Sequence, residues 1–373
     1  MINNLKKIAF ITYDRTPYRI LQLNEYTKNF EVTAYYNAVL LKNRDWKLPN
    51  SKFVEKKIKG IIKFRNRYLV NFGIKKLVKS NDIIIMGGYD SPSSLYICLM
   101  CNLMKKSYCV SMDGVSPHKA ENKNTIKHLI KKIIIKNAKT IFANGLSAKE
   151  YLMNEFNVDE NRIYNQYLAI DNEGVQAAKQ IKLNEHLYRV FKESNKYKLI
   201  YSGRLMERKN VPIILDAINK LENKNEYTLI VLGDGPEKEK ILRKSKIYGI
   251  DTKITGFIED QSQLFASYYH GDILILPSKD DPWGLVVNEA MVAGLPILVS
   301  KNVGSARDLI HEGINGYTFD YNDVDELVRY IKVIYKNGKE NMGDKSKNII
   351  KEWNFQTSLE SLNNADCKIK LDN

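Results

Sequence analysis

The chain has 373 residues, 44% hydrophobic and 27% charged, with 20 glycines, 9 prolines and 4 cysteines. The length predicts two domains rather than one, and the composition excludes a disordered chain, a collagen-like polymer and a small disulfide scaffold. The apolar runs are far shorter than the roughly 18 residues that cross a bilayer, and the first fifteen residues lack the apolar core of a signal peptide. We therefore expect a cytoplasmic protein with reduced cysteines.

The formal net charge of +15 is confined to the first half of the chain. Residues 1–195 contain 33 lysines and arginines against 17 aspartates and glutamates, whereas residues 196–373 contain 25 against 26. This asymmetry indicates an anionic partner for the first half, namely a phosphorylated substrate, an acidic membrane surface or nucleic acid. Simple solvation of a lysine-rich surface is the alternative.

Short apolar runs rich in β-branched residues alternate with amphipathic segments of helical length, which is typical of parallel sheets covered by helices on both faces. The strands predicted in the first half are 7–12, 30–36, 82–86, 107–112 and 140–143. The strands predicted in the second half are 198–202, 227–232, 253–255, 272–276 and 296–300, separated by helices near 211–221, 237–248, 261–269 and 286–293. The pattern predicts two doubly wound α/β units, divided within the polar stretch 172–196.

The first candidate site follows strand 198–202, because ligands of doubly wound sheets bind beyond the carboxyl ends of the strands. Gly203 and Arg204 leave this strand, and Lys209 stands five residues after Arg204, just ahead of a helix. Two cations beside a helix N-terminus suit a diphosphate, because fixed charge and free backbone N–H groups act together. Taken alone, such cations are more often solvated surface residues.

The second candidate site lies in residues 278–296. An acidic loop with Asp281 and Gly284 precedes a helix that begins near Leu285. Gly284 permits close backbone approach, and the N–H groups of Gly284, Leu285 and Val286 are free donors that suit a phosphate. Glu289 is a surface helix residue on the simplest interpretation, yet it stands in an apolar segment where an unpaired carboxylate is costly and calls for donors such as ribose hydroxyls.

Taken together, these motifs resemble the retaining glycosyltransferases of family 4, also called glycosyl transferases group 1, which have the GT-B architecture. The resemblance rests on Gly203-Arg204-Leu205 with Lys209, on Gly233-Asp234-Gly235-Pro236, on segment 278–296, on Thr255-Gly256-Phe257 and on Gly313-Ile314-Asn315-Gly316-Tyr317. It implies two doubly wound Rossmann-like domains facing a central cleft. The implied domains are an acceptor-binding domain at 1–190, a nucleotide-sugar-binding domain at 191–350 and a terminal helix at 351–373 that returns to the first domain.

The resemblance also implies roles for single residues. Arg204 and Lys209 bind the nucleotide diphosphate and stabilise it as it departs, with no metal and no cofactor apart from the nucleotide-sugar donor. Asp281 contacts donor-sugar hydroxyls and Glu289 contacts the ribose. Gly256 and Phe257 contact the nucleobase, and the donor-binding set is completed by Gly203, Gly284, Leu285 and Val286. Relatives usually carry glutamate where this chain has Asp281, which is one methylene shorter; the neighbouring Asp280 is the substitute one residue out of register.

The first half resembles the family more loosely. Its loop after strand 7–12 has no glycine, so that Arg15 or Arg19 is expected to supply charge in place of close backbone approach. Asp113 occupies the position where many relatives carry a histidine near the reacting centre, and His118 is the alternative. The predicted acceptor contacts are Arg15, Tyr18, Arg19, Tyr89 and His118.

The basic stretch 119–139 interleaves lysines with isoleucines and leucines in a helical pattern. Such a helix can lie on an anionic membrane, or it can pack its apolar side on the sheet with solvated lysines. We predict a retaining hexosyltransferase, peripheral on the inner face of the cell membrane, that extends a saccharide acceptor, lipid-linked or free, in bacterial surface polysaccharide (capsule) biosynthesis. The alternatives are another GT-B enzyme, such as a nucleotide-sugar epimerase or a phosphorylase, and a nucleic-acid-binding protein. No nucleic-acid partner is expected, because no binding module is present and no aromatic residue lies within the basic stretch.

Overall fold

A computed structural model gives the fold, and it describes residues 5–37, 48–60, 63–64, 67–68, 71–117, 119, 123, 125–192 and 196–371. The chain divides into two compact units. Unit 1 consists of Met1–Val115, Lys119–Ala169 and Phe355–Asn373, and unit 2 consists of Ser116–His118 and Ile170–Asn354. Each unit is built on a parallel sheet covered by helices.

Strands and helices alternate along both units. The elements up to residue 165 are β1 Lys7–Thr12, α1 Pro17–Tyr26, β2 Glu31–Tyr36, β3 Val54–Lys57, β4 Lys63–Phe64, β5 Arg67–Tyr68, α2 Ile74–Ser80, β6 Ile83–Met86, α3 Pro92–Leu103, β7 Tyr108–Met112, α4 Ile126–Asn137, β8 Thr140–Ala143, α5 Gly145–Phe156 and β9 Ile163–Asn165. The later elements are α6 Asn172–Ala178, α7 Glu185–Lys192, β10 Tyr197–Ser202, α8 Pro212–Lys220, β11 Tyr227–Leu232, α9 Lys238–Tyr248, β12 Asp251–Ile254, α10 Gln261–Tyr268, β13 Ile273–Leu276, α11 Leu285–Ala293, β14 Ile297–Ser300, α12 Ala306–Leu309, β15 Gly316–Phe319, α13 Val324–Asn337, α14 Glu340–Ile350 and α15 Phe355–Leu371.

The sheet of unit 1 has seven parallel strands in the order β3-β2-β1-β6-β7-β8-β9, and β4 and β5 form a separate antiparallel pair. Strand β6 shows why this sheet is covered on both faces. All four of its residues are buried: Ile84 packs into one apolar layer together with Cys98 and Cys101 of α3, and Ile85 packs into the other. The two cysteines therefore contribute to packing, and burial raises the pKa of the Cys101 thiol to about 12.

The sheet of unit 2 has six parallel strands in the order β12-β11-β10-β13-β14-β15. This is the doubly wound order, in which the chain reverses direction across the sheet between β10 and β13. Because β10 ends at Ser202 and β13 ends at Leu276, the two loops predicted to carry chemistry leave the sheet on either side of this switch point. The predicted parallel α/β organisation of both halves is confirmed.

The division between the units falls at Ala169 and Ile170, about twenty residues before the predicted boundary at 190. Helix α6 packs against α10 and α11 of unit 2, and the Tyr269 hydroxyl donates to the Val175 carbonyl over 2.9 Å. At the other end of the chain, α15 lies in unit 1 and packs against α1. Within the described ranges, no helix combines the length and the apolar character that a membrane span requires.

Candidate active site

Three loops at the carboxyl edge of the unit 2 sheet are held together by backbone contacts. The Gly203 N–H donates to the Leu232 carbonyl over 3.0 Å, and Gly233 forms an isolated bridge with Gly256. Gly233 has φ +154°, and a Cβ at this position would lie 2.1 Å from the Gly203 carbonyl oxygen. Only glycine fits there, so the sequence Gly233-Asp234-Gly235 serves to bring the loops after β10, β11 and β12 together.

Lys209 and Asp281 form an ion pair across the switch point. The Lys209 ammonium donates to Asp281 Oδ2, and only 13% and 11% of the two side chains are exposed. An ammonium carries three protons, so this contact fixes Lys209 in place and leaves donors for a further anion. The side chain of Arg204, unlike that of Lys209, is exposed. Its backbone carbonyl accepts a hydrogen bond from the Tyr201 hydroxyl over 3.1 Å.

The N-terminus of α11 lies in the second loop. Gly284 has φ +82°, and a Cβ at this position would approach Leu276 Cδ2 to 2.8 Å and Val303 Cγ1 to 2.9 Å. No side chain of the described residues caps this helix. The first backbone N–H groups, including those of Leu285 and Val286, are therefore free donors at the positive end of a helix dipole, a ready-made site for a phosphate.

Glu289 lies one turn into α11 and bonds to a buried tyrosine. The Tyr268 hydroxyl lies 2.6 Å from Glu289 Oε2 and 2.8 Å from Ser202 Oγ. Burial, reinforced by Glu289, raises the pKa of Tyr268 well above its ordinary value, so this hydroxyl stays protonated and donates to the carboxylate. Burial also raises the pKa of Glu289 to about 7, against the opposing effect of the tyrosine bond. Glu289 is therefore a partly buried, hydrogen-bonded acid rather than a solvated surface residue of the helix.

The predicted nucleobase loop lies beside this site. Gly256 has φ +77° and pairs with Gly233, and Phe257 exposes 54% of its side chain. The Thr255 carbonyl, just before them, lies 3.1 Å from His186 Nε2. An exposed ring on a loop fixed by backbone pairing offers a flat apolar surface against which a base can stack.

In unit 1, Asp113 is held by three donors. Its carboxylate accepts from the Arg19 guanidinium, from the Tyr18 hydroxyl over 3.0 Å and from Gln166 Nε2 over 2.8 Å. Burial opposes ionisation, but Arg19 and the other donors prevail and hold the pKa of Asp113 below its ordinary range. Since 42% of the Asp113 side chain is exposed, unit 1 presents an ionised hydrogen-bond acceptor at the end of β7.

The structure corrects the prediction for Arg19. This residue lies in α1, which begins at Pro17, and only 3% of its side chain is exposed. Its guanidinium lies 4.7 Å from the centre of the Phe10 ring and donates to Gln22 as well as to Asp113. Arg19 therefore acts on an acceptor only through the carboxylate that it positions.

The remaining residues predicted to contact the acceptor are dispersed. Arg15 pairs with Glu55 over 3.2 Å and stays partly exposed. Tyr89 packs against the unit 1 core, and the Ser91 side chain, two residues later, caps α3 by accepting from the Ser94 N–H. His118 lies outside the described residues. The roles of Gln166 and Tyr268 were not predicted, because their partners are far away along the chain and no local motif marks them.

The model of the family described as "Glycosyl transferases group 1" matches residues 185–352. The matched segment contains every strand of the unit 2 sheet. An uncharacterised 41.2 kDa protein in the cps region of Klebsiella pneumoniae is 29% identical to the chain over 202 residues, which cover 53% of this chain and 52% of that protein. Sulfoquinovosyl transferase SQD2 of Arabidopsis thaliana is 27% identical over 178 residues, which cover 46% and 33%. The chain thus spans about half and a third of the lengths of these two relatives.

The solved structure of Anabaena Alr3699/HepE in complex with UDP is similar to the chain at a TM-score of 0.75 and 15% identity, with 97% of this chain and all of that chain covered. At this identity the likeness concerns the fold alone. The predicted GT-B fold is confirmed.

Proposed function

We propose that the protein is a family 4 glycosyltransferase that moves a hexosyl group, with retention, from a nucleoside diphosphate sugar to a saccharide acceptor. The observation that carries the proposal is the convergence of three features at the unit 2 switch point. These are the Lys209 ammonium fixed by Asp281, the uncapped start of α11 and the perturbed carboxyl group of Glu289. A cation, backbone donors and an acceptor for hydroxyl groups are what a nucleoside diphosphate requires.

The reaction must stabilise negative charge on the departing diphosphate. Lys209 and the N–H groups of Leu285 and Val286 supply this stabilisation from fixed positions, which is usually the largest contribution to catalysis. The exposed Arg204 side chain adds a second cation when it turns towards the diphosphate. The bond from the anomeric carbon to the diphosphate oxygen breaks, and a bond to the acceptor oxygen forms on the same face. The acceptor proton passes to the departing diphosphate oxygen. Protein cations carry out this stabilisation, so the mechanism needs neither a metal ion nor a further cofactor.

The donor contacts are assigned by the chemistry of each group. Glu289 accepts hydroxyl groups of the ribose, and Gly256 and Phe257 hold the base. Lys209 bonds to one carboxylate oxygen of Asp281, and the other oxygen accepts from sugar hydroxyls. The ion pair therefore positions the cation for the diphosphate and the carboxylate for the sugar. Asp113 is proposed as a second acceptor for sugar hydroxyls, kept ionised by its three donors.

For the biological role we propose surface polysaccharide synthesis of the capsule type. The Klebsiella relative in the cps region supports this assignment. A saccharide acceptor, in particular one linked to a lipid diphosphate, and a peripheral location on the inner face of the cell membrane are consistent with the basic first half, whose charge suits an anionic surface.

A product assay tests the proposal. The purified protein is first screened for the nucleoside diphosphate sugars that raise its melting temperature, beginning with UDP-glucose, and then incubated with the best donor and saccharide acceptors. We expect a lengthened acceptor, free nucleoside diphosphate and an anomeric configuration equal to that of the donor. Lys209→Ala should lower product formation by roughly 100-fold, whereas the exposed α13 variant Lys332→Ala should leave it unchanged. A new nucleotide sugar without a lengthened acceptor would identify an epimerase and refute transfer.

A further inference from the structure

Unit 1 contains a second concave site at the edge of its sheet opposite to the carboxyl ends of the strands. A cavity of about 780 Å³ lies where β7 and β8 begin and where α3 and α4 end. Among the described residues, no acidic side chain lines it. The cationic side chains that line it are Lys105, Lys106, Lys136, Lys139 and Arg162.

Two of these cations serve the fold. Arg162 donates to the carbonyl oxygens of Ile135 and Lys136 over 3.3 and 3.1 Å, at the end of α4. Lys106 donates to the Lys79 carbonyl oxygen over 3.0 Å, at the end of α2. Cations stabilise the negative ends of helices in this way. The side chains of Lys105 and Lys136 are different, because they form no ion pair and no hydrogen bond with any residue that the structure describes.

Lys105 also occupies a position that favours glycine. It follows α3 in the left-handed conformation, with φ +52°, and its N–H donates to the Asn102 carbonyl. Helices commonly end in this way, with glycine at the left-handed position. Replacement of Lys105 by glycine therefore removes the charge without strain, which makes the contribution of this ammonium testable in a folded protein.

Exposed apolar side chains adjoin the cavity. Leu103, two residues before Lys105, exposes 75% of its side chain, and Leu99 one turn earlier exposes 48%. A soluble phosphate ester gains nothing from exposed apolar side chains beside its binding site. Protein surfaces that bind a membrane interface, in contrast, place apolar side chains among cations. Charge and apolar exposure together favour a lipid over a soluble anion.

We propose that this cavity binds the phosphate group of an anionic phospholipid, with Lys105 and Lys136 as its free cations and with Leu99 and Leu103 at the acyl boundary. The site goes beyond the proposed transfer reaction, because it lies at the opposite edge of the sheet from Asp113. Two lysines then make a defined contact with an anionic membrane, beyond the general attraction of the basic first half.

Flotation with vesicles of phosphatidylcholine alone, or with 30% phosphatidylglycerol, tests the site. We expect the double variant Lys105→Gly/Lys136→Ala to bind the anionic vesicles about 30-fold more weakly than the wild type, since each lysine near such a surface contributes about fivefold. The control Lys75→Ala/Lys76→Ala removes two exposed lysines from α2, outside the cavity. It should retain most of the binding; an equal loss in both variants would show that only diffuse charge matters and would overturn the site.

Two further arms separate the sources of the phosphate. Leu103→Ser should weaken vesicle binding without changing the melting temperature in glycerol phosphate. A wild-type protein that is stabilised by glycerol phosphate but is not retained by anionic vesicles would refute the phospholipid assignment.

Calorimetric affinity for the best nucleoside diphosphate should be equal in the double variant and the wild type, because the cavity is in unit 1 and the nucleotide site is in unit 2. The vesicle result and the transfer result can therefore fail independently.

Discussion

The pKa of Glu289 makes nucleotide binding depend on pH in a defined way. With a pKa of about 7, this carboxyl group is about 9% ionised at pH 6 and about 91% ionised at pH 8. Only the carboxylate accepts from the two ribose hydroxyls, so we expect the association constant for nucleoside diphosphate to rise about tenfold over this range. Titration calorimetry at several pH values measures the rise, and binding at pH 7 should release protons to the buffer.

The variant Glu289→Gln supplies the control, since its side chain has similar size and no titration. The phosphate of the nucleotide also titrates near pH 6, but it does so equally with both proteins, and the ratio of their affinities isolates the carboxylate. That ratio should increase about tenfold from pH 6 to pH 8. Parallel pH profiles for the two proteins would refute the ribose role of Glu289.

The same shift has a consequence for stability. Because the folded protein keeps a proton that the unfolded chain has lost, the free energy of unfolding should fall as the pH rises from about 4.5 to 7. Glu289→Gln should remove this part of the dependence in urea unfolding measurements. An equal or steeper decline in the variant would contradict the raised pKa.

Three further changes test other parts of the site. Lys209→Ala should lower turnover by roughly 100-fold, the usual loss for one stabilising donor, and near-normal turnover in the product assay would reject its role. Gly233→Ala should lower the free energy of unfolding far more than Gly249→Ala, because a Cβ at 233 meets backbone at 2.1 Å whereas a Cβ at 249 meets nothing within 4 Å. Gly249→Ala should cost about 1 kcal/mol. Equal losses for the two variants in urea unfolding would contradict the loop packing. Arg19→Gln should raise the pKa of Asp113, so that the acidic limb of the turnover profile moves to higher pH; an unmoved limb would remove Asp113 from the reaction.

Much of unit 2 was predictable from the sequence, because its strands and loop motifs can be recognised from residues that are close together along the chain. Strand β11 is buried at all six positions and was predicted with the observed ends. The motifs that follow β10 and β13 have fixed spacing, and parallel strands bring their carboxyl ends to one edge. Strand β3 was missed because its four residues, Val54–Lys57, are all exposed, so that it carries no apolar pattern.

The contacts that define the site were not predictable, because they join distant parts of the chain. Lys209 and Asp281 were assigned to different groups of the donor, yet they form one ion pair between residues 72 positions apart. Arg19 was predicted to offer free charge, and only the fold places Asp113, 94 positions away, against it. The domain boundary moved for a similar reason, since the packing of α6 on unit 2 depends on tertiary contacts rather than on polarity.

A crystal structure of the protein with a bound nucleoside diphosphate tests the central claim most directly. We expect the diphosphate to contact the Lys209 ammonium and the N–H groups of Leu285 and Val286, with Arg204 turned towards it and the ribose hydroxyls on Glu289. A nucleotide bound elsewhere, or a diphosphate in this loop with Arg204 still directed into solvent and Lys209 bonded to Asp281 alone, would contradict it.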